Sequence, residues 1–269
     1  MNILCTTRSG GSFEPLSGSG IIITQNGVIL TNAHVAQFTL LRDYPRPGSV
    51  DCVVRMGSPA RALYRASLLY LPPAWVDANA SKIDTEAATS TGEGDYAFLL
   101  ITSTVSGEPL PASFPSIPLT TDAPTTKETA YVAAYPAQYL GGATIQQSLY
   151  ASSAYPTVEK LFGFNETEPT ADLFSLTGSV VSQSGSSGGA VVRPQDGALE
   201  GIITTESEGT TTADRSLFAL TLGHIDRSLS ANNKGGIITL LSGDLVAKVI
   251  DFNSTIAPSE TQKLVEALK

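Results

Sequence analysis

Short β-branched and aromatic runs separated by Gly, Pro, Asn and Ser set the pattern of this chain. Gly20-Ile21-Ile22-Ile23-Thr24 is one such run, Gln25-Asn26-Gly27 follows, and Val28-Ile29-Leu30-Thr31 resumes it. Asn-Gly between two apolar runs favours a two-residue hairpin turn, so a hairpin leading straight to His34 is predicted. Further strands are predicted at Cys52 to Met56, Tyr96 to Ile101, Thr129 to Ala134, Phe174 to Val181, Ala190 to Arg193, Gly201 to Thr205 and Leu217 to Leu222. Many short strands with turn-rich spacers point to a sandwich or barrel.

Two long polar stretches read as exposed loops. One runs from Asp77 to Gly94, the other from Pro156 to Thr170 with Glu159, Glu166 and Glu168. The C-terminal part changes character. Ser242 is placed to cap a helix carrying Leu245, Val246, Val249 and Ile250. Ser259-Glu260-Thr261-Gln262 has capping-box spacing ahead of Leu264, Val265 and Leu268, with Pro258 just outside that start. Two terminal helices packed on the β domain are expected.

Composition narrows the function. The chain has 269 residues, enough for a sizeable core, and only 15% are charged. Much of its surface must therefore be Ser, Thr, Gly, Asn and Gln. The net charge of -9, with no Lys/Arg cluster, argues against a nucleic-acid partner and an anionic membrane surface. No stretch approaches the ~20 apolar residues of a membrane span. The N-terminus lacks the basic region and apolar core of a signal peptide. Either the protein is cytoplasmic or the chain is a fragment of an exported one, and the Lys-poor, Ser/Thr-rich composition leans to the second. The two cysteines, Cys5 and Cys52, do not define a disulfide framework, and separate buried thiols are the expected arrangement.

Three segments carry candidate chemistry. Gln183-Ser184-Gly185-Ser186-Ser187-Gly188-Gly189-Ala190 is a small-residue run ahead of an apolar one, a usual setting for an activated serine. A serine hydroxyl needs a base that takes its proton as it attacks, and imidazole has a suitable pKa. The imidazole needs a carboxylate to fix its tautomer. The chain has two histidines. His34 follows the hairpin in Thr31-Asn32-Ala33-His34-Val35, whereas His224, at the end of a late strand, reads as structural. Asp95 opens the apolar run Tyr96 to Ile101, at the edge of the core. Its neighbours Asp84, Glu86 and Glu93 sit in the polar loop.

Together these segments resemble the trypsin-like (chymotrypsin-fold) serine proteases, most closely the bacterial HtrA-type branch. Gly18-Ser19-Gly20-Ile21-Ile22 leads to Thr31-Asn32-Ala33-His34-Val35. Asp95-Tyr96-Ala97-Phe98-Leu99 and Gly185-Ser186-Ser187-Gly188-Gly189 follow in the family's order. The resemblance spans roughly residues 16 to 225. It implies an all-β fold of two six-stranded antiparallel barrels with the active site between them, followed here by C-terminal helices. Residues 1–240 would form the protease domain and 241–269 a helical extension. The resemblance implies His34, Asp95 and Ser187 as the triad, and the N–H groups of Gly185 and Ser187 as the oxyanion hole. It puts Val181, Ser182, Ile203, Thr204 and Thr205 around the substrate pocket, with Glu206 at the rim. With no acidic residue at the pocket base, cleavage after Lys or Arg is not expected, and a small or medium aliphatic side chain is. Ser186 stands where trypsin has the acidic residue that pairs with a new N-terminus, so activation by that ion pair is not expected. The loop between His34 and Asp95 is longer than in compact bacterial members and is expected to carry an insertion beside the cleft.

The reading is a serine endopeptidase acting on polypeptide substrates, without metal or cofactor, since no Cys/His cluster has ligand spacing. The alternatives are a non-catalytic binding or sensor module on the same fold, and an esterase or acyl transferase using the same triad.

Overall fold

In the computed structural model, residues 1–7, 16–83, 91–165, 170–207 and 209–269 are described, Glu206 by its backbone alone. The first half forms seven strands: β1 (Asn2–Thr7), β2 (Leu16–Ser19), β3 (Ile21–Ile22), β4 (Val28–Thr31), β5 (Val50–Met56), β6 (Arg61–Tyr70) and β7 (Ala97–Thr104). Between them lie the four-residue helix α1 (Ala33–Ala36) and α2 (Pro73–Asn79). The antiparallel order is β2-β1-β5-β6-β7-β4-β3. Its two end strands are consecutive in the chain and broken only at Gly20, so the run closes the sheet into a barrel. A Cβ on Gly20 would lie 2.9 Å from Ile29 Cγ2, a closeness that only glycine tolerates.

The second half holds β8 (Tyr131–Ala134), the helix α3 (Gly142–Gln147), β9 (Ser152–Ala154), β10 (Val158–Phe162), β11 (Leu173–Leu176), β12 (Ala190–Arg193), β13 (Ala198–Glu206) and β14 (Leu217–Thr221). Their order is β10-β11-β14-β13-β12-β8-β9. Again the end strands are chain neighbours, parted by Tyr155, Pro156 and Thr157. Each sheet counts seven strands rather than six because one run is interrupted. The expected double-barrel architecture stands.

Four helices follow: α4 (Leu222–Ala231), α5 (Gly236–Leu241), α6 (Leu245–Thr255) and α7 (Ala257–Ala267). They return to the first barrel. Asn253 Nδ2 donates to Leu68 O at 2.8 Å, Thr261 Oγ1 to Leu40 O at 3.1 Å, and Lys263 pairs with Asp77 of α2. Phe252 and Leu264 are buried in the core shared with β4, β6 and β7.

Several local expectations change. The strand expected at Phe174 to Val181 ends at Leu176, and Asp77 lies in α2 rather than in a loop. The Pro156 to Thr170 stretch contains β10. Asp244, not Ser242, caps α6, its side chain accepting from Ala247 N at 3.0 Å. Leu245 and Val249 are buried, but Val246 and Ile250 are exposed. Pro258 lies inside the first turn of α7, where its missing N–H costs nothing. Cys5 and Cys52 are directly opposed on β1 and β5 and form a disulfide, in place of separate thiols. No helix among the described residues is long and apolar enough to cross a membrane.

Candidate active site

The β3–β4 hairpin delivers Thr31 and Asn32 to the start of α1, and α1 presents His34. Asp95 enters at the start of β7 through a turn in which Gly92 and Gly94 both have positive φ. Asn32 Nδ2 donates to Asp95 O at 2.8 Å, tying the two segments together. Asp95 is 3% exposed, and its carboxylate is well supplied with donors. Oδ1 accepts the His34 backbone N–H at 2.9 Å, and Oδ2 accepts His34 Nδ1–H at 2.7 Å. Thr204 Oγ1, from β13 of the second barrel, donates to the same Oδ2 at 2.9 Å. Holding the proton on Nδ1 leaves Nε2 with a free lone pair, the form a general base requires. Burial pushes the His34 pKa down, but the Asp95 charge and its hydrogen bond outweigh that, so the value is raised above the usual one. About a third of the His34 side chain remains open, towards the cleft.

Ser187 sits in a loop whose peptide planes are individually pinned. Ser184 O accepts from Ala137 N at 2.8 Å, and Ser186 O accepts from Gly189 N at 2.8 Å. In a planar trans peptide the C=O and the following N–H point opposite ways. The Gly185 and Ser187 N–H groups therefore point away from those partners, and neither donates to an acceptor among the described residues. Gly185 and Gly188 have φ of +93° and +81°, a region open to glycine but strained for other residues. Ser187 Oγ donates to Thr204 O at 3.5 Å, a long contact, and makes no hydrogen bond to His34.

His34, Asp95, Gly185, Ser187, Ile203, Thr204 and Thr205 line one cleft of about 640 Å³. Of the expected pocket residues, Val181 and Ser182 do not line it. Val181 is fully buried in the core of the second barrel, and the Ser182 hydroxyl turns inward to accept Ser179 N at 3.0 Å. The Glu206 side chain, Asp84 and Glu86 lie outside the described residues, and Glu93 is exposed. His224 is not at the end of a strand but in the first turn of α4, where its N–H is capped by Thr221 Oγ1 at 3.0 Å. Its ring Nδ1 lies 3.1 Å from Asp172 Oδ1, and Arg227 Nη2 donates to the same oxygen at 2.6 Å. This is a structural ion cluster away from the cleft.

The sequence reading did not identify several wall residues. Trp75, Asn79, Lys82 and Ile83 form the side next to His34, on α2 and the turn after it. Gln138 and Arg215 line the other side, Arg215 Nη1 donating to Gln138 Oε1 at 2.6 Å. No motif surrounds any of these; only the loop length between His34 and Asp95 gave a hint.

The sequence profile of the trypsin-like peptidase domain matches residues 18–202. The chain belongs to the trypsin-like peptidase family. No curated protein matches its sequence. Among solved structures it is similar to the active form of the Rv3671c protease of M. tuberculosis, with 18% identity and a TM-score of 0.50. That match covers 85% of this chain and 79% of the other. It is also similar to an inactivated protease paralogue of the scabies mite, at 17% identity, a TM-score of 0.51, and coverage of 87% and 93%. At these identities the likeness concerns the fold. The profile ends at Ile202, so the helices from Leu222 onward lie outside the matched trypsin-like region.

Proposed function

We propose that this trypsin-like peptidase is a serine endopeptidase using His34, Asp95 and Ser187. The observation that carries the reading is that the His34–Asp95 pair and Ser187 line one cleft, with the Gly185 and Ser187 N–H groups unbonded among the described residues. Ser187 Oγ attacks the scissile carbonyl carbon as His34 Nε2 takes its proton. The carbonyl oxygen becomes the oxyanion, met by the N–H groups of Gly185 and Ser187. The imidazolium, held by Asp95, gives the proton to the leaving amine. Water then attacks the acyl-enzyme with His34 again as base, releasing the second product and restoring Ser187. The backbone of β13 around Thr204 pairs with an extended substrate as an added strand, the Ile203 N–H and C=O being already bonded to Gly189 O and Gly188 N.

A preference for a small or medium aliphatic side chain before the scissile bond rests on Ile203 and Leu217, which line the cleft on the Ser187 side. Val181 is buried in the same core as these two, and the bonded Arg215 and Gln138 add a polar edge. The disulfide fits an oxidising compartment, so we place the protein outside the cytoplasm.

One observation favours a non-catalytic binding module: Ser187 Oγ rests on Thr204 O rather than on His34. Catalytic hydrogen bonds are often loose without substrate, so this geometry does not oppose catalysis. Labelling with a fluorophosphonate probe separates the two. The native chain is expected to label and both Ser187→Ala and His34→Ala to lose labelling. A native chain that does not label supports the binding module.

A further inference from the structure

We propose that Ser19 is a positioning residue that sets the oxyanion loop from the opposite barrel; this rests on the proteolytic reading above. Ser19 lies at the end of β2 and is 1% exposed. Its hydroxyl bridges two segments of the second barrel. Oγ accepts Tyr135 N at 2.9 Å and donates to Gly185 O at 2.8 Å. Its main chain adds two more links: Ser19 N donates to Ser187 O at 2.7 Å, and Ser19 O accepts Thr31 Oγ1 at 2.7 Å.

The consequence follows from peptide geometry. Ser19 Oγ holds the Gly185–Ser186 plane, while the Ala137 bond to Ser184 O holds the plane before it. A flip of that earlier plane would turn Ser184 O inward and remove the Gly185 N–H from the cleft. The Ser19 bond fixes one side of the hinge at Gly185, and its Tyr135 bond anchors the same hydroxyl to the residue that follows β8. Gly188 shows how closely the strands meet. A Cβ there would lie 2.1 Å from Ser19 O. The Thr31 link ends three residues before His34, so one buried serine registers the base-bearing turn against the nucleophile loop. A valine would fill the space and an alanine would leave it empty, but either leaves Gly185 O and Tyr135 N without their partner.

The test compares two ligands. A tetrapeptide boronic acid ending in boroVal bonds to Ser187 Oγ and places an oxygen at the oxyanion position. The matching valinamide fills the subsites alone. In Ser19→Ala the boronic acid is expected to bind about 10- to 100-fold more weakly. Valinamide affinity is expected to stay within about 3-fold, since the hydroxyl does not face the subsites. Equal boronate affinity in Ser19→Ala and the native chain, or a parallel loss of both ligands, overturns the proposal. Ser19→Thr keeps the hydroxyl and carries the test if the alanine variant does not fold. Boronate binding within about 3-fold of native supports the proposal, and its loss in a folded threonine variant overturns it. Boronate binding by the native chain and not by Ser187→Ala upholds the proteolytic reading by itself. A native chain that binds no boronate overturns both.

Discussion

The Asp95 side chain accepts three hydrogen bonds beside the cleft, and its role is open to measurement. Its charge keeps the His34 pKa above the ordinary histidine value against the effect of burial. The neutral imidazole is the working base, so activity is expected to rise as pH climbs through that raised value. Asp95→Asn removes the charge, and the acid limb of the kcat/KM profile is expected to move to lower pH. The rate is expected to fall by about 10³–10⁴-fold, because an amide no longer enforces the tautomer. Peptide hydrolysis followed from pH 5 to 10 checks both. The same pair bears on stability with a defined sign. Its contribution is full below the unfolded histidine pKa of about 6.5 and fades as pH rises through the raised folded value. The three motifs were legible at this scale because each catalytic side chain sits inside a short run whose chemistry is local. Thr204 was legible only as a pocket residue; its bond to Asp95 depends on β13 reaching across from the other barrel.

Elements were readable where turn chemistry and alternation agree. The hairpin before His34, β12 and β14 lie where the apolar runs put them, but the turn is the four-residue loop 24–27, closed by Gly27 N to Thr24 O at 3.0 Å, in place of the two-residue Asn-Gly turn. β1 and β6 were not identified, since Asn2–Thr7 is short and Arg61–Tyr70 mixes charged and apolar residues along an exposed half. β10 was hidden in a polar stretch because its outer residues are solvent-facing. Helix starts went astray by two residues at α6, where both Ser242 and Asp244 are competent caps and only the backbone turn selects one. Asp244→Ala is expected to destabilise the protein by about 1 kcal/mol, read by urea denaturation, because Ala247 N loses its acceptor. Ser242→Ala is expected to cost less, since its hydroxyl only donates to Thr239 O behind it.

At the scale of the whole molecule, the disulfide and the helices stiffen the barrel that carries His34. Cys5 and Cys52 are 47 residues apart and join the neighbouring strands β1 and β5. Closing a loop of that length lowers the entropy of the unfolded chain by an amount worth about 4 kcal/mol. Reduction, or Cys5→Ser with Cys52→Ser, is therefore expected to lower Tm by roughly 10 °C in a scanning calorimeter. Equal melting of reduced and oxidised protein would mean that the first barrel is already held by its core. The C-terminal helices act on the cleft wall directly. α7 packs on α2, and Lys263 pairs with Asp77, two residues from each of Trp75 and Asn79, both of which line the cleft.

The amino-acid sequence by itself determined the β class, the hairpin before His34, the order of the three motifs and the presence of late helices. These depend on residues close together in the chain, whose turn preferences and side-chain chemistry act locally. Only the tertiary structure decided that Cys5 and Cys52 meet, that Val181 faces a core and not the cleft, and that Thr204 and Ser19 reach across the barrels. It also decided that α2, with α7 packed on it, builds a wall beside His34. Each of these rests on contacts between residues far apart in sequence, fixed by strand register and barrel closure, which no local pattern encodes.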